Sequence, residues 1–313
     1  MRYSKTVQGV PVPYFFPDDA VVSALSYEPR PGDIFVATYP KCGTTWVQYV
    51  SYGILHDAQP PADLSQFFAA SPFVELFSVD AVETMSRPGT IKTHLPCEKV
   101  RFSSRAKYIY VARNPYDVCV SYYHQIRTLT VAEEDDLISF DEHVKRFVSG
   151  SGSYGCYLKD SLIPWYTRRD ESNVLFLTYE ELHDDTKQQV KRIAEFLGPE
   201  YGRRVSKDPA MLQRVVDMTS KERMRPLFKN FAMDTIEFAV HHMKRRNAPI
   251  PQKLDGLLNF LKNRALRHEF VRQGSVGGYK KFISEDHRKT LEDWISASTL
   301  DSEVMCLWST VLP

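Results

Sequence analysis

Three times along the chain a short run of apolar and β-branched residues gives way to a pattern with helical spacing. "DIFVATY" at 33–39 leads into "TTWVQYVSYGILH", "AKYIYVA" at 106–112 into "YDVCVSYYHQI", and "NVLFLTY" at 173–179 into "DDTKQQVKRIAEFLG". This alternation predicts parallel strands covered by helices, hence an α/β fold with a central, mostly parallel sheet. In the third unit Asp184 or Asp185 can cap the helix start. Val190, Ile193, Ala194 and Leu197 then share one face, and Gly198-Pro199 ends the helix. Further helices are predicted over "PQKLDGLLNFLKNRALRHEF", where Leu254, Leu257, Leu258, Leu261 and Leu266 fall at helical spacing, and over "SEDHRKTLEDWISAS".

No repeat, low-complexity tract or Gly/Ser linker interrupts the 313 residues, so a single domain over 1–313 is expected. With 40 basic and 39 acidic residues the chain has no global field to attract nucleic acid or an anionic membrane, and any anion site must be local. Cys42, Cys97, Cys119, Cys156 and Cys306 are odd in number and form no C-x-x-C pair, which argues against a disulfide framework or a zinc site. The first residues lack a signal-peptide core, and nowhere do about 18 apolar residues run together as a membrane span requires. A soluble protein of the reducing cytoplasm is the expectation.

The first strand-to-helix junction carries the chemistry. In "DIFVATYPKCGTTWVQYV" at 33–50 a glycine turn opens a helix, whose first N–H groups and positive dipole end favour an anion. Gly43 permits close approach, Lys41 adds a full charge, and Thr44 and Thr45 add hydroxyl donors. An ordinary turn with a solvated lysine and two capping threonines is the plainer alternative. A Walker loop, and with it a metal-dependent small-molecule kinase, needs the lysine after the glycine, whereas Lys41 precedes Gly43.

"TYPKCGTTW" resembles the 5′-phosphosulfate loop "TYPKSGTTW" of the cytosolic sulfotransferases, enzymes that use 3′-phosphoadenosine 5′-phosphosulfate (PAPS) and release 3′-phosphoadenosine 5′-phosphate (PAP). Three further stretches agree in order. "IKTHLP" at 91–96 resembles the family's catalytic-histidine segment and "YVARNPYDVCVSYYH" at 110–124 its 3′-phosphate strand and helix. "FVRQGSVGGYK" at 270–280 resembles its C-terminal "RKGxxGDWK" loop. The likeness runs from about residue 30 to about residue 282 and implies the P-loop-like nucleotide fold of sulfotransferases.

The resemblance implies roles. His94 matches the base that takes the acceptor's proton; an imidazole with a pKa of roughly 6.5 is largely neutral at cytosolic pH. Lys41 and Lys92 match lysines that stabilise charge on the bridging oxygen and the transferring group, with no metal required. Cys42, Gly43, Thr44 and Thr45 match the loop around the 5′-phosphate, and Trp46, Tyr179 and Thr219 match adenine contacts. Arg113 and Ser121 match the 3′-phosphate pair. Phe270, Val271, Arg272, Gln273 and Gly274 match the second side of that phosphate site, where three glycines within 274–278 suit a backbone wrapped around an anion.

Some residues depart from the family pattern. Cys42 replaces serine, and a thiol at a helix N-terminus is expected to have a lowered pKa, to react with thiol reagents and to be open to oxidation. Gln273 replaces lysine, removing a cationic partner worth about 1 kcal/mol or more. Gly278 and Tyr279 replace aspartate and tryptophan. The dimerisation pattern is poorly matched by "KKFISEDHRK", which leaves the oligomeric state open.

A small-molecule acceptor is implied. "PYFFPDD", "SPFVELF" and "SYYHQ" cluster aromatic residues where the family builds its acceptor pocket, with Phe15, Phe73 and His124 as candidates, and flat apolar walls suit phenols. The acidic run Glu133–Asp136 either favours an amine-bearing phenol or is a solvated loop. The basic segment 241–253 is either a lid or a hydrated connection. A protein that keeps the nucleotide fold without turnover is the non-catalytic alternative.

Overall fold

The structure, a computed structural model, describes residues 3–132, 137–263 and 274–309. Glu133–Asp136, Leu266 and the expected site residues Phe270, Val271, Arg272 and Gln273 lie outside the described residues.

Four strands make the central sheet: β3 (Ile34–Ala37), β4 (Ile91–Thr93), β5 (Lys107–Ala112) and β6 (Val174–Thr178). They are parallel and lie in the order β4-β3-β5-β6. Two short antiparallel strands, β1 (Ser4–Val7) and β2 (Val10–Pro13), form a separate hairpin. The three predicted strands are β3, β5 and β6. The hairpin and β4 escape pattern reading because three or four residues are too few to display a period.

Strand alternation divides the interior into two cores. Phe35, Ala37, Tyr108 and Tyr110 face one layer. Val36, Ile109, Val111 and Leu177 face the other, where they meet Val47, Val50 and Ile54 of helix Thr44–Leu55 and Val190, Ile193 and Leu197 of helix Thr186–Leu197. Asp185 caps the latter helix through the Gln188 N–H, and Gly198 ends it. Helix Gln252–Asn263 buries Leu254, Leu257, Leu258 and Leu261, and helix Glu285–Ser298 starts at a capping box on Ser284. The basic segment from 241 is a packed helix end: His242 is buried and Arg246 pairs with Asp80 at 2.8 Å.

Register fixes where function can sit. Ala37 pairs with both Thr93 and Tyr110, and Ala112 with Thr178, so the carboxyl ends of all four strands lie along one edge. The chain leaves β3 to form β4 on one side and then crosses to β5 on the other. Ligands of open α/β sheets bind outside such a reversal. Thr38–Gly43, His94, Arg113 and Tyr179 are the residues that follow these four ends.

One expectation is corrected here. Cys42 is fully buried in the aromatic core, with its Sγ no closer than 4.0 Å to the Pro40 carbonyl oxygen. Burial pushes its thiol up to about 12, outweighing the opposing pull of Arg113. The thiolate character expected at a helix N-terminus is therefore absent. Thiol titration of the native protein with Ellman's reagent is expected to label the exposed Cys306 and to leave Cys42 unmodified until denaturant is added; rapid native labelling of Cys42 would contradict this burial.

Candidate active site

The turn after β3 is shaped by two left-handed residues, Lys41 at φ 71° and Gly43 at φ 107°. A lysine in that region is strained, as residues held at ligand sites often are. A Cβ at residue 43 would come within 3.0 Å of the Tyr179 ring, so this position requires glycine on both counts. Gly43 caps helix Thr44–Leu55 without a side-chain hydrogen bond, which leaves the first-turn N–H groups to an anion. Thr44 and Thr45 are buried, and the Thr44 hydroxyl meets that of Thr38 at 2.6 Å.

His94 follows β4 and is 8% exposed. Its Nδ1 lies 2.8 Å from the Thr38 carbonyl oxygen, which can only accept, so Nδ1 carries the proton and Nε2 the lone pair. Burial, together with the charges of Lys92 and Lys41, holds its pKa well below the ordinary value. The ring is neutral across the physiological range. Lys92 extends over the Phe73 ring at 4.1 Å, and burial lowers it to about 8, with Glu75 acting in opposition.

Arg113 follows β5. Its guanidinium donates to the Lys41 carbonyl oxygen at 3.2 Å and to the Ser275 carbonyl oxygen at 3.1 Å, and it lies over the Tyr179 ring at 4.1 Å. It thus joins the glycine turn to the C-terminal loop. Gly274 takes φ 59° in that loop. Trp46 meets the edge of Tyr179 at 5.5 Å, and its buried Nε1 has no protein partner, which suits contact with a ligand. The Thr219 hydroxyl donates to Val215 in its own helix at 2.8 Å. Any contact that it makes with a ligand uses its lone pairs or its methyl group.

Lys41, Gly43, Thr44, Thr45, Trp46, Lys92, His94, Arg113, Ser121, Tyr179, Thr219 and Gly274 line one cavity of about 700 Å³. Phe15, Phe73 and His124 are on its wall as well. An aromatic chain runs from the hairpin side toward the imidazole: Phe15 to Phe16 at 5.2 Å, Phe16 to Phe73 at 5.5 Å, and Phe73 to His94 at 5.1 Å. Among the expected site residues that are described, Cys42 is the one that does not line the cavity. Among the described residues no cluster of three or more His, Cys, Asp or Glu side chains is placed to hold a metal ion.

Sequence reasoning missed three contributors. Asp117 is buried and accepts from the Gly277 N–H at 2.8 Å and the Tyr279 N–H at 3.0 Å, while lying 3.7 Å from the Arg113 guanidinium. Glu180 accepts from the Asn114 N–H, the Asn114 amide and the Trp308 indole, tying the C-terminal turn to the β5 end. Tyr154 is 2% exposed, packs 5.4 Å from the His94 ring, and has a hydroxyl without a protein partner. An acid in the first turn of a helix reads as a dipole partner, so Asp117 carried no distinguishing signal.

A model of the sulfotransferase domain matches residues 31–305. Mouse sulfotransferase 1B1 is 31% identical over 297 residues, which cover 90% of this chain and 86% of that protein. Mouse sulfotransferase 2B1 is 34% identical over 203 residues, or 62% of this chain and 59% of that one. Among solved structures, mouse sulfotransferase SULT7A1 complexed with PAP superposes with a TM-score of 0.70 at 22% identity, covering 99% of each chain. Retinol dehydratase in complex with androsterone and inactive cofactor PAP also gives 0.70, at 21% identity over 96% of this chain and 91% of that one. The two structures speak for the fold. The domain match and the length of the likeness to the mouse 1B1 protein decide the family, and this chain belongs to the sulfotransferases.

Proposed function

We propose that the protein moves a sulfuryl group from PAPS to the hydroxyl or amine of a small aromatic acceptor, with His94 as base. The observation that carries this reading is the fixed imidazole. The Thr38 carbonyl oxygen, 2.8 Å from Nδ1, accepts the Nδ1 proton, which leaves a neutral Nε2 in the cavity that the glycine turn and Lys41 also line. The acceptor's oxygen or nitrogen forms a bond to sulfur as the bond from sulfur to the 5′-phosphate oxygen breaks. The acceptor proton passes to Nε2, and the bonding pair stays on the phosphate oxygen, where Lys41 and Lys92 offset its charge. PAP leaves.

The donor is read from the two ends of the site. The uncapped helix start with Thr44 and Thr45 suits a 5′-phosphate, while Arg113 and Ser121 suit the 3′-phosphate. Phe270, Val271, Arg272, Gln273 and Gly274 remain the proposed second side of that site. The Phe16–Phe73–His94 series supports a flat, apolar, phenol-like acceptor, with Phe15 and His124 on the same wall. Five free cysteines, three of them buried, support a reducing compartment and hence the cytoplasm. Among the described residues no helix is long and apolar enough to cross a membrane.

Turnover of a simple phenol with PAPS is expected to persist in chelator and to fall about 10²–10⁴-fold in His94→Ala, while PAP affinity changes little. Wild-type protein that binds PAP without turnover would establish the non-catalytic alternative and sink the reading. By calorimetry, Arg113→Gln is expected to weaken PAP about 10–100-fold, the worth of a charge-assisted pair, and to leave AMP within a few-fold of its wild-type affinity. Equal loss for both nucleotides would assign Arg113 to loop organisation alone.

A further inference from the structure

A second buried imidazole borders the cavity, and the proposed reaction makes no use of it. His143, on helix Phe140–Ser149, lines the cavity and is 2% exposed. Around it stand the rings of Tyr122 at 5.9 Å, Tyr123 at 5.5 Å and Phe147 at 6.1 Å. Its Nε2 lies 2.9 Å from the Cys119 carbonyl oxygen, which can only accept, so Nε2 carries the proton and Nδ1 the lone pair. Burial holds its pKa down at about 4, outweighing the opposing effect of the Cys119 bond, and the ring is therefore neutral near pH 7.

The packing of this region does not call for such a group. Cys119 lies inside helix Pro115–Thr128, where its carbonyl oxygen already takes the Tyr123 N–H, so the imidazole does not rescue a stranded backbone acceptor. A phenylalanine would fill the same aromatic niche without burying polar atoms. Among the described residues none hydrogen-bonds to Nδ1, and that atom is not sealed from solvent. With rings around the imidazole, its access is through the cavity that it lines.

His94 presents the same device at the reaction centre: a backbone carbonyl fixes one ring nitrogen and the other offers a lone pair to the cavity. The two imidazoles share a wall. Tyr154 meets His94 at 5.4 Å, its neighbour Ser153 has its carbonyl oxygen 3.5 Å from the Tyr122 hydroxyl, and the Tyr122 ring meets His143. An acceptor that displaces solvent from Nδ1 without offering a donor leaves the lone pair bare, whereas one that offers a hydroxyl or N–H replaces the lost bond. We propose that His143 is a specificity-determining residue whose Nδ1 accepts a hydrogen bond from the bound acceptor, and that the cavity thereby selects aromatic acceptors with a second hydroxyl or N–H donor at the end away from the reacting group.

This inference deepens the proposed function and rests on it, so its test has arms that need no turnover. The probes are three pairs of different span, each setting a hydroxyl against a methoxy group, which keeps an oxygen but cannot donate. They are hydroquinone and 4-methoxyphenol, 2,6-dihydroxynaphthalene and 6-methoxy-2-naphthol, and 4,4′-dihydroxybiphenyl and its monomethyl ether. With PAPS and wild-type protein, kcat/KM is expected to favour the hydroxyl member about tenfold at the span that fits, beyond the factor of about two that two equivalent hydroxyls supply. In His143→Phe the preference is expected to fall to that statistical factor, with turnover of the methoxy members within about threefold of wild type. Calorimetry of the same pairs on the PAP-bound protein is expected to show the same preference and the same loss. In wild-type protein labelled with ¹⁵N-histidine and loaded with PAP, the preferred hydroxyl member is expected to move the His143 Nδ1 signal upfield and its methoxy partner to leave it in place. That signal is assigned through its contacts with the Tyr122 and Phe147 rings, so this arm decides the matter even where the variant does not fold. No preference at any of the three spans, a preference that survives in His143→Phe, or an unmoved Nδ1 signal would overturn the proposal. A preference in binding that disappears in His143→Phe, on a protein that turns over no acceptor, would instead overturn the proposed function and leave this recognition in place.

Discussion

The hydrogen bond from the His94 ring to the Thr38 carbonyl oxygen joins the ends of two neighbouring strands, and the geometry of the site follows from it. The bond is possible because β3 and β4 are parallel and paired through Ala37 and Thr93, which places the next residue of each chain segment at one level. Thr38 answers with its own N–H to the Thr93 carbonyl oxygen at 3.2 Å, so the sheet ladder continues into the site. A backbone carbonyl cannot donate and does not titrate. It therefore fixes tautomer and ring orientation without adding a charge, unlike a carboxylate in the same place, which would raise the imidazole's pKa.

A second constraint acts at the other end of the sheet edge. Arg113 donates to one carbonyl oxygen in the glycine turn and one in the C-terminal loop, and Asp117 holds that loop by two N–H groups. Two loops more than 200 residues apart in sequence are thus braced against a single guanidinium. Glu180 extends the brace to the fully buried Trp308. Under the proposed function, a 3′-phosphate arriving at Arg113 meets a cation whose position is already set by protein contacts, so little ordering cost falls on the ligand.

How much of this was legible depended on the length of each signal. β3, β5 and β6 could be read because four to six apolar residues ran into helical spacing, and the cap at Asp185 could be read because its oxygen sits where cap chemistry requires it. The glycine turn could be read because charge, glycine and hydroxyls stood together at a junction. The hairpin could not, since its strands are too short to display a period, and β4 could not, since its three residues also pair with a strand far along the chain. Glu180, Asp117 and Tyr154 were invisible for a related reason: each acts through a partner in another segment. Cys42 was misread because helix-end electrostatics were weighed without the burial that opposes them, and burial is the larger effect.

Under the proposed function, the acceptor side of the cavity differs in kind from the nucleotide side. Loops at strand ends build the nucleotide side, and ladder register fixes their positions. The proposed acceptor wall combines Phe15 after the hairpin, Phe73 before a four-residue helix, His124 on a long helix and Tyr154 at φ 69° in a loop. Ring edges join Phe16, Phe73, His94 and Tyr154 in series, while His124 meets the Phe282 ring. Such contacts are individually worth about 0.5–1.5 kcal/mol and tolerate changes of ring size and angle. On that reading, a fold assembled this way keeps the strand-end loops rigid through backbone hydrogen bonds, while the wall proposed to select the acceptor changes with single side-chain substitutions.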